Sequence, residues 1–168
     1  LTFNSHIKPA ETQLIDAITQ LKANNIEELV LDMRYNGGGY LTIAAELGYM
    51  VAGSASEGEV FDALTFNDKY TVRDPINNNI LEPSRFSSTA AGFDAPTDPT
   101  PSGTPLPGLD LTRVFILASG GTASASEALI NGLRGVDVEV ILIGEATRGK
   151  PYGWYALDNC GTTYSTIP

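Results

Sequence analysis

Two residues in this chain combine type and placement in a way that suits nucleophilic chemistry. In Val114-Phe-Ile-Leu-Ala-Ser-Gly-Gly-Thr-Ala-Ser-Ala-Ser-Glu127 an apolar strand ends, glycines turn the chain, and Ser124 stands where a helix begins. A helix N-terminus offers free backbone N–H groups and the positive end of the helix dipole. An oxyanion formed there meets donors already in place, the first being the amide of Ala125. A second donor is available from Gly37-Gly-Gly39, where missing side chains let backbone amides approach a substrate. The competing structural reading is a capping box, Ser124-x-x-Glu127, in which serine caps the helix and glutamate reaches back. Ser119 and Ser126 are rival serines, one before flexible glycines and one inside the first helical turn.

A serine nucleophile needs a base. The single histidine, His6, lies in an N-terminal strand-like segment beside Asn4 and Ser5, where a surface or edge position is the default. Of the lysines, Lys8, Lys22 and Lys69 fall at helix ends or in polar segments. Lys150 lies in Gly144-Glu-Ala-Thr-Arg-Gly-Lys-Pro151, directly after an apolar run. A lysine acts as base only as the neutral amine, which burial favours. The bland alternative is a solvated loop lysine. Tyr152-Gly-Trp-Tyr155 follows, and its aromatics line a groove or fill core. Asp32 and Arg34 flank the glycine turn and are expected to pair or to fix loops.

The elements that must hold these residues follow from periodicity. Residues 1–7 suit a first strand. Pro9 opens a helix to about Ala23, with Leu14, Ile15, Ile18 and Leu21 on one face and Asn24-Asn25 ending it. Residues 28–33 read as a buried strand, followed by the glycine turn and a helix over 40–52. Strands are expected over 60–66 and 70–72, as candidates to pair with each other. Residues 73–110 are dominated by Pro75, Pro83, Pro96, Pro99, Pro101, Pro105 and Pro107, a composition that reads as a long loop wrapped over the domain. Strand 113–118, helix 124–133, a mostly buried strand 138–143 and strands 153–157 and 162–167 complete the order. Strand, glycine turn and helix occur twice, which predicts an α/β layer. In a parallel sheet the Ser124 turn and the Lys150 loop leave the same edge.

With 168 residues the chain suits one domain with a real core. Its net charge of −10 disfavours nucleic acid and anionic membranes. No stretch approaches the roughly 20 apolar residues of a membrane helix. The lone Cys160 has no cysteine partner, no Cys/His cluster suggests a metal, and no GxGxxG or Walker lysine suggests a nucleotide; no cofactor is expected. The opening Leu-Thr-Phe is neither an initiator methionine nor a signal peptide, and it reads as a processed or truncated start.

Three segments together resemble one family. Leu31-Asp-Met-Arg-Tyr-Asn-Gly-Gly-Gly-Tyr-Leu41 is similar to its Asp-Leu-Arg-Asn-Asn-x-Gly-Gly segment. Gly121-Thr-Ala-Ser-Ala-Ser-Glu127 is similar to its nucleophile motif, and Ile143-Gly-Glu-Ala-Thr-Arg-Gly-Lys150 to its base motif, Gly-Glu-x-Thr-x-Gly-Lys. The family is the carboxyl-terminal processing, or tail-specific, proteases, related to the tricorn core protease. The resemblance implies a ClpP/crotonase-like spiral of β-β-α units, Ser124 as nucleophile, Lys150 as base, and oxyanion donors from Ala125 and Gly38. It also implies a peptide groove near Gly37, Gly39, Tyr152 and Trp154, a polypeptide substrate, and work outside the cytoplasm in a bacterial periplasm or at the cell surface. Lys150 follows Ser124 by 26 residues, slightly more than in the bacterial members. Trp154 stands where those proteases carry a glutamine, and nothing resembles a PDZ domain. The family core continues past residue 167, so the chain is expected to be one catalytic core, cut at one or both ends, with a loop insertion at about 74–110.

Two other functions fit the outline. A binding module like the retinoid-binding repeats would use Tyr152, Trp154 and Tyr155 as an apolar cleft, and would need neither Ser124 nor Lys150. An acyl-CoA enzyme of the crotonase type would use a glycine-turn oxyanion hole without a serine at a helix start. Oligomeric state has no signal in the sequence.

Overall fold

A computed structural model describes residues 1–93 and 100–167. Pro96 and Pro99 of the proline-rich stretch lie outside the described residues. Helix α1 (Ala10–Ala23) starts after Pro9, whose fixed φ of −65° suits a helix entry. It ends at Asn24, with Asn25 left-handed at φ 50°. Strand β1 (Val30–Asp32) is shorter and less buried than the expected 28–33 run, with Leu31 fully buried but Val30 exposed. Helix α2 (Leu41–Ala52) follows the glycine turn. It is buried along ten of its residues, which explains an apolar sequence with little amphipathic contrast. After a short 3₁₀ turn (Gly53–Ser56) come strands β2 (Val60–Asp62) and β3 (Ser84–Arg85). Strand β4 (Arg113–Ala118), helix α3 (Ala125–Gly135) and strand β5 (Glu139–Gly144) then repeat the strand–turn–helix order, and the hairpin β6 (Tyr155–Asn159) and β7 (Thr162–Thr166) closes the described chain.

The central sheet has the order β1-β4-β5, and all its pairs are parallel. Leu31 stands opposite Ile116, and Ile116 opposite Leu142. The mix of parallel strands and helices places the chain in the α/β class, as expected. The parallel order sends the loops after β1, β4 and β5 from one edge of the sheet. These loops carry the glycine turn, Ser124 and Lys150.

Several expectations are corrected. Residues 1–7 do not form a strand. They pair through isolated bridges, Thr2 to Asp32 and His6 to Gly39, with Phe3 N–H on the Asp32 carbonyl at 2.9 Å and His6 N–H on the Gly38 carbonyl at 3.1 Å. Residues 63–66 and 70–72 are not strands, and β2 pairs antiparallel with β3 instead. Strand β5 is not mostly buried: Leu142 and Ile143 are exposed, because β5 is the outer strand of the sheet. The proline-rich stretch does fold over the core. Phe86 is buried at 1% exposure with its ring edge-on to Phe61, and Leu106 and Leu111 are buried with it. The aromatics after Lys150 are not core, since Tyr152 and Trp154 are more than half exposed.

Candidate active site

Ser124 is the N-cap of α3 and sits at φ 59°, ψ −120°, outside the regions an L-residue adopts easily. A sharp turn between strand and helix forces this, and it leaves the side chain half-buried at the helix mouth. The capping box is real. The Glu127 carboxylate accepts the Ser124 N–H at 2.8 Å, and the Glu127 N–H donates to the Ser124 carbonyl at 2.8 Å. Capping and a nucleophile's position therefore coincide at one residue. The rival serines are committed elsewhere. Ser126 is fully buried and donates to the Asn36 carbonyl at 3.0 Å, and Ser119 donates to the Arg34 carbonyl.

Glu127 does more than close the cap. Its carboxylate also accepts the N–H of Gly149 at 2.6 Å and of Lys150 at 2.9 Å. One side chain thus ties the Ser124 backbone to the Lys150 backbone. Burial pushes the Glu127 carboxyl upward. Hydrogen bonds from Lys150, Thr147, Gly149 and Ser124 outweigh it and hold the group below the usual range. The Lys150 loop is further pinned by Arg148 N–H on the Thr122 carbonyl at 2.9 Å and Glu145 N–H on the Ala118 carbonyl at 3.1 Å.

The Lys150 side chain is half-buried, and its Nζ lies 3.9 Å from the centre of the Trp154 ring, a cation–π contact. Among the described residues no hydrogen bond joins Lys150 Nζ to Ser124 Oγ. A cleft of about 420 Å³ lies beside the Lys150 loop, lined by Gly37, Gly121, Ala123, Arg148, Gly149, Lys150 and Tyr152, with Ala123 the lining residue next to Ser124.

The glycine turn lies against Ser124. A Cβ on Gly38 would stand 2.7 Å from Ser124 Cβ and 2.9 Å from the Ala125 nitrogen, and Gly38 has φ 100°. Only glycine permits this approach. Gly38 N–H donates to Asn36 Oδ1 at 3.0 Å, while Gly37 is exposed to the cleft. Gly39, at φ 141°, packs on the His6 carbonyl. Asp32 and Arg34 form the expected pair, with Nε on Oδ1 at 3.0 Å and Nη2 on Oδ2 at 2.8 Å.

His6 overturns its expected place. It is fully buried, edge-on to Phe3, with Nδ1 on Asn36 Oδ1 at 3.0 Å. Burial lowers its pKa to about 4, against hydrogen bonds to Asn36 and Gly38 that raise it. It is therefore neutral at pH 7. Asn36, fully buried, is a residue that motif reasoning left without a role. Its Nδ2 donates to the Phe3 carbonyl at 3.0 Å, and its own carbonyl accepts Ala123 N–H at 3.2 Å. It joins the N-terminal segment, the glycine turn and the serine turn. Its place two residues before a glycine that needs a fixed amide was the available signal.

Three parallel strands thus carry a glycine turn, a strained serine and a lysine loop to one edge of an α/β sheet. The chain belongs to peptidase family S41, whose model matches residues 1–158. This bears out the resemblance to carboxyl-terminal processing proteases. Among solved structures, a protein of Bacteroides fragilis NCTC 9343 assigned to the S41 proteases superposes with a TM-score of 0.72 at 22% identity, covering 98% of this chain and 41% of that one. The photosystem II D1 C-terminal processing protease gives a TM-score of 0.61 at 23% identity, covering 99% of this chain and 35% of that one. The chain thus spans well under half the length of these neighbours, and at such identities they show the fold. No curated protein sequence matches the chain. Among the described residues, no helix is long and apolar enough to cross a membrane.

Proposed function

We propose that this chain is the catalytic core of a serine endopeptidase with a Ser124–Lys150 dyad. The observation that carries the reading is the Glu127 carboxylate, which ties the Ser124 and Lys150 backbones to one another. Family membership supports the peptidase class.

In the proposed reaction an extended polypeptide lies in the cleft past Gly37 and Tyr152. The Lys150 side chain rotates from Trp154 toward Ser124 and takes the Oγ proton as the neutral amine. Ser124 Oγ attacks the peptide carbonyl. The oxyanion is held by Ala125 N–H at the helix mouth and by the glycine turn. Gly38 N–H reaches it by leaving Asn36 Oδ1, and Gly37 N–H borders the same cleft. Collapse releases the amine, protonated by Lys150, and leaves an acyl-enzyme that water hydrolyses. We read the fold as a β-β-α spiral of the ClpP/crotonase kind, residues 74–110 as an insertion in a single catalytic core, and the working place as extracytoplasmic. A cleft bordered by glycines, Arg148 and Lys150 suits a peptide backbone better than a lipophilic ligand.

The test is cleavage of unfolded casein by the parent chain, by Ser124→Ala and by Lys150→Ala. Loss of at least about a thousandfold in both variants, with circular dichroism unchanged, is expected. Full activity in either variant sinks the dyad.

A further inference from the structure

The Gly38 amide faces a conflict. It borders the nucleophile, where an oxyanion would need it, yet it already donates to Asn36 Oδ1 at 3.0 Å. Asn36 is fully buried, so its oxygen cannot turn to water. Without a second donor, withdrawing the Gly38 bond would leave a buried acceptor unpaired, which costs the full desolvation of that group. One other donor serves the same oxygen: His6 Nδ1, also at 3.0 Å. The bond fixes the tautomer with the proton on Nδ1, and His6 Nε2 is buried without a hydrogen-bond partner among the described residues. A buried polar ring that leaves one nitrogen unpaired is poor packing material. Its position needs a reason other than stability.

We propose that His6 is a positioning residue for the oxyanion: its Nδ1–H keeps Asn36 Oδ1 satisfied while Gly38 N–H turns from that oxygen to the oxyanion at Ser124. The proposal rests on the serine-peptidase reading. His6 touches neither substrate nor Ser124 and takes no proton in the reaction. It lowers the cost of lending an amide. The N-terminal segment is thereby part of the catalytic apparatus, since His6 N–H on the Gly38 carbonyl and Tyr40 N–H on the His6 carbonyl clamp both ends of the turn.

Two substitutions separate donor from packing. His6→Asn places an amide N–H where Nδ1 stands but leaves space unfilled. His6→Phe fills the space and removes the donor, along with the unpaired nitrogen. The readout is the rate at which a peptidyl fluorophosphonate labels Ser124 in the full chain, since that attack builds negative oxygen at the helix mouth. Binding of a non-reactive peptide is measured in parallel. His6→Phe is expected to label about tenfold more slowly, the size of one net hydrogen bond, with peptide affinity unchanged and the fold intact. His6→Asn is expected to label faster than His6→Phe. If His6→Phe labels as fast as the parent, or faster than His6→Asn, the ring serves packing and the proposal is overturned. If the parent labels no faster than Ser124→Ala, the serine-peptidase reading itself falls and takes this one with it.

Discussion

At the scale of single residues, the site depends on groups that serve two parties at once. Glu127 accepts three backbone N–H groups from two segments. Glu127→Ala leaves all three without a protein partner, and water replaces only part of what is lost. The expected loss in urea denaturation is about 2–3 kcal/mol, a cap plus one poorly solvated donor, with Glu127→Gln losing less because it keeps an acceptor. The same carboxyl carries a pH signature. Its folded pKa lies below the unfolded value, so its contribution is complete above about pH 4.5 and is lost as pH falls through the lowered folded value. His6 acts over a different window. Its folded pKa, about 4, lies below the ordinary histidine value of 6.5, so the unfolded chain binds the extra proton between those values. Stability should therefore rise with pH from about 4 to 6.5, by about 3 kcal/mol in total. In His6→Phe that part of the pH–stability curve should flatten; an unchanged slope would show that another group titrates there.

At the scale of elements, legibility followed locality. The strand–glycine turn–helix units could be read because each is written in consecutive residues, and the parallel order then brought their turns to one edge. Pairing across distance left no such mark. β2 finds its partner in Ser84–Arg85, two residues inside a proline-rich stretch that composition alone assigns to loop. His6 was misread for a related reason. Strand alternation from Phe3 turns Ser5 inward and His6 outward, but the segment makes only isolated bridges, and both Phe3 and His6 are buried. Glu127 was legible as a cap. Its grip on residues 149 and 150 was not, because no local pattern signals a contact 23 residues away. The β6–β7 hairpin offers a test at this scale. Its strands are exposed apart from Tyr155, whose hydroxyl donates to Asp74 at 2.5 Å and whose ring stacks on Phe66 at 6.3 Å. Burial first, and then the Asp74 hydrogen bond, push the Tyr155 phenol up to about 12. In Tyr155→Phe, amide exchange over 155–166 should quicken by about tenfold while the protection of β4 and α3 stays unchanged. Equal exchange in parent and variant would mean that the hairpin is held by something other than this anchor.

For the whole molecule, charge sets the last expectation. The chain carries a net charge of −10, and the salt bridges among the described residues are two exposed pairs, Asp32–Arg34 and Glu28–Arg113. Exposed pairs contribute little, so they do not offset the mutual repulsion of the acidic surface. Screening that repulsion should stabilise the fold, since the Debye length shrinks from about 30 Å at 0.01 M salt to about 8 Å at 0.15 M. The melting temperature should therefore rise between those salt concentrations, by about 2–4 °C for each 1 kcal/mol of repulsion relieved. The candidate site runs against this background, because Arg148 and Lys150 border the cleft in an otherwise acidic molecule. Salt should then act in opposite directions on fold and encounter. It should raise the melting temperature while slowing the capture of basic peptides, which the acidic surface attracts at long range. Measuring both over one salt series checks the balance. A melting temperature that falls with added salt would show that attractive pairs, not net charge, dominate the field of this protein.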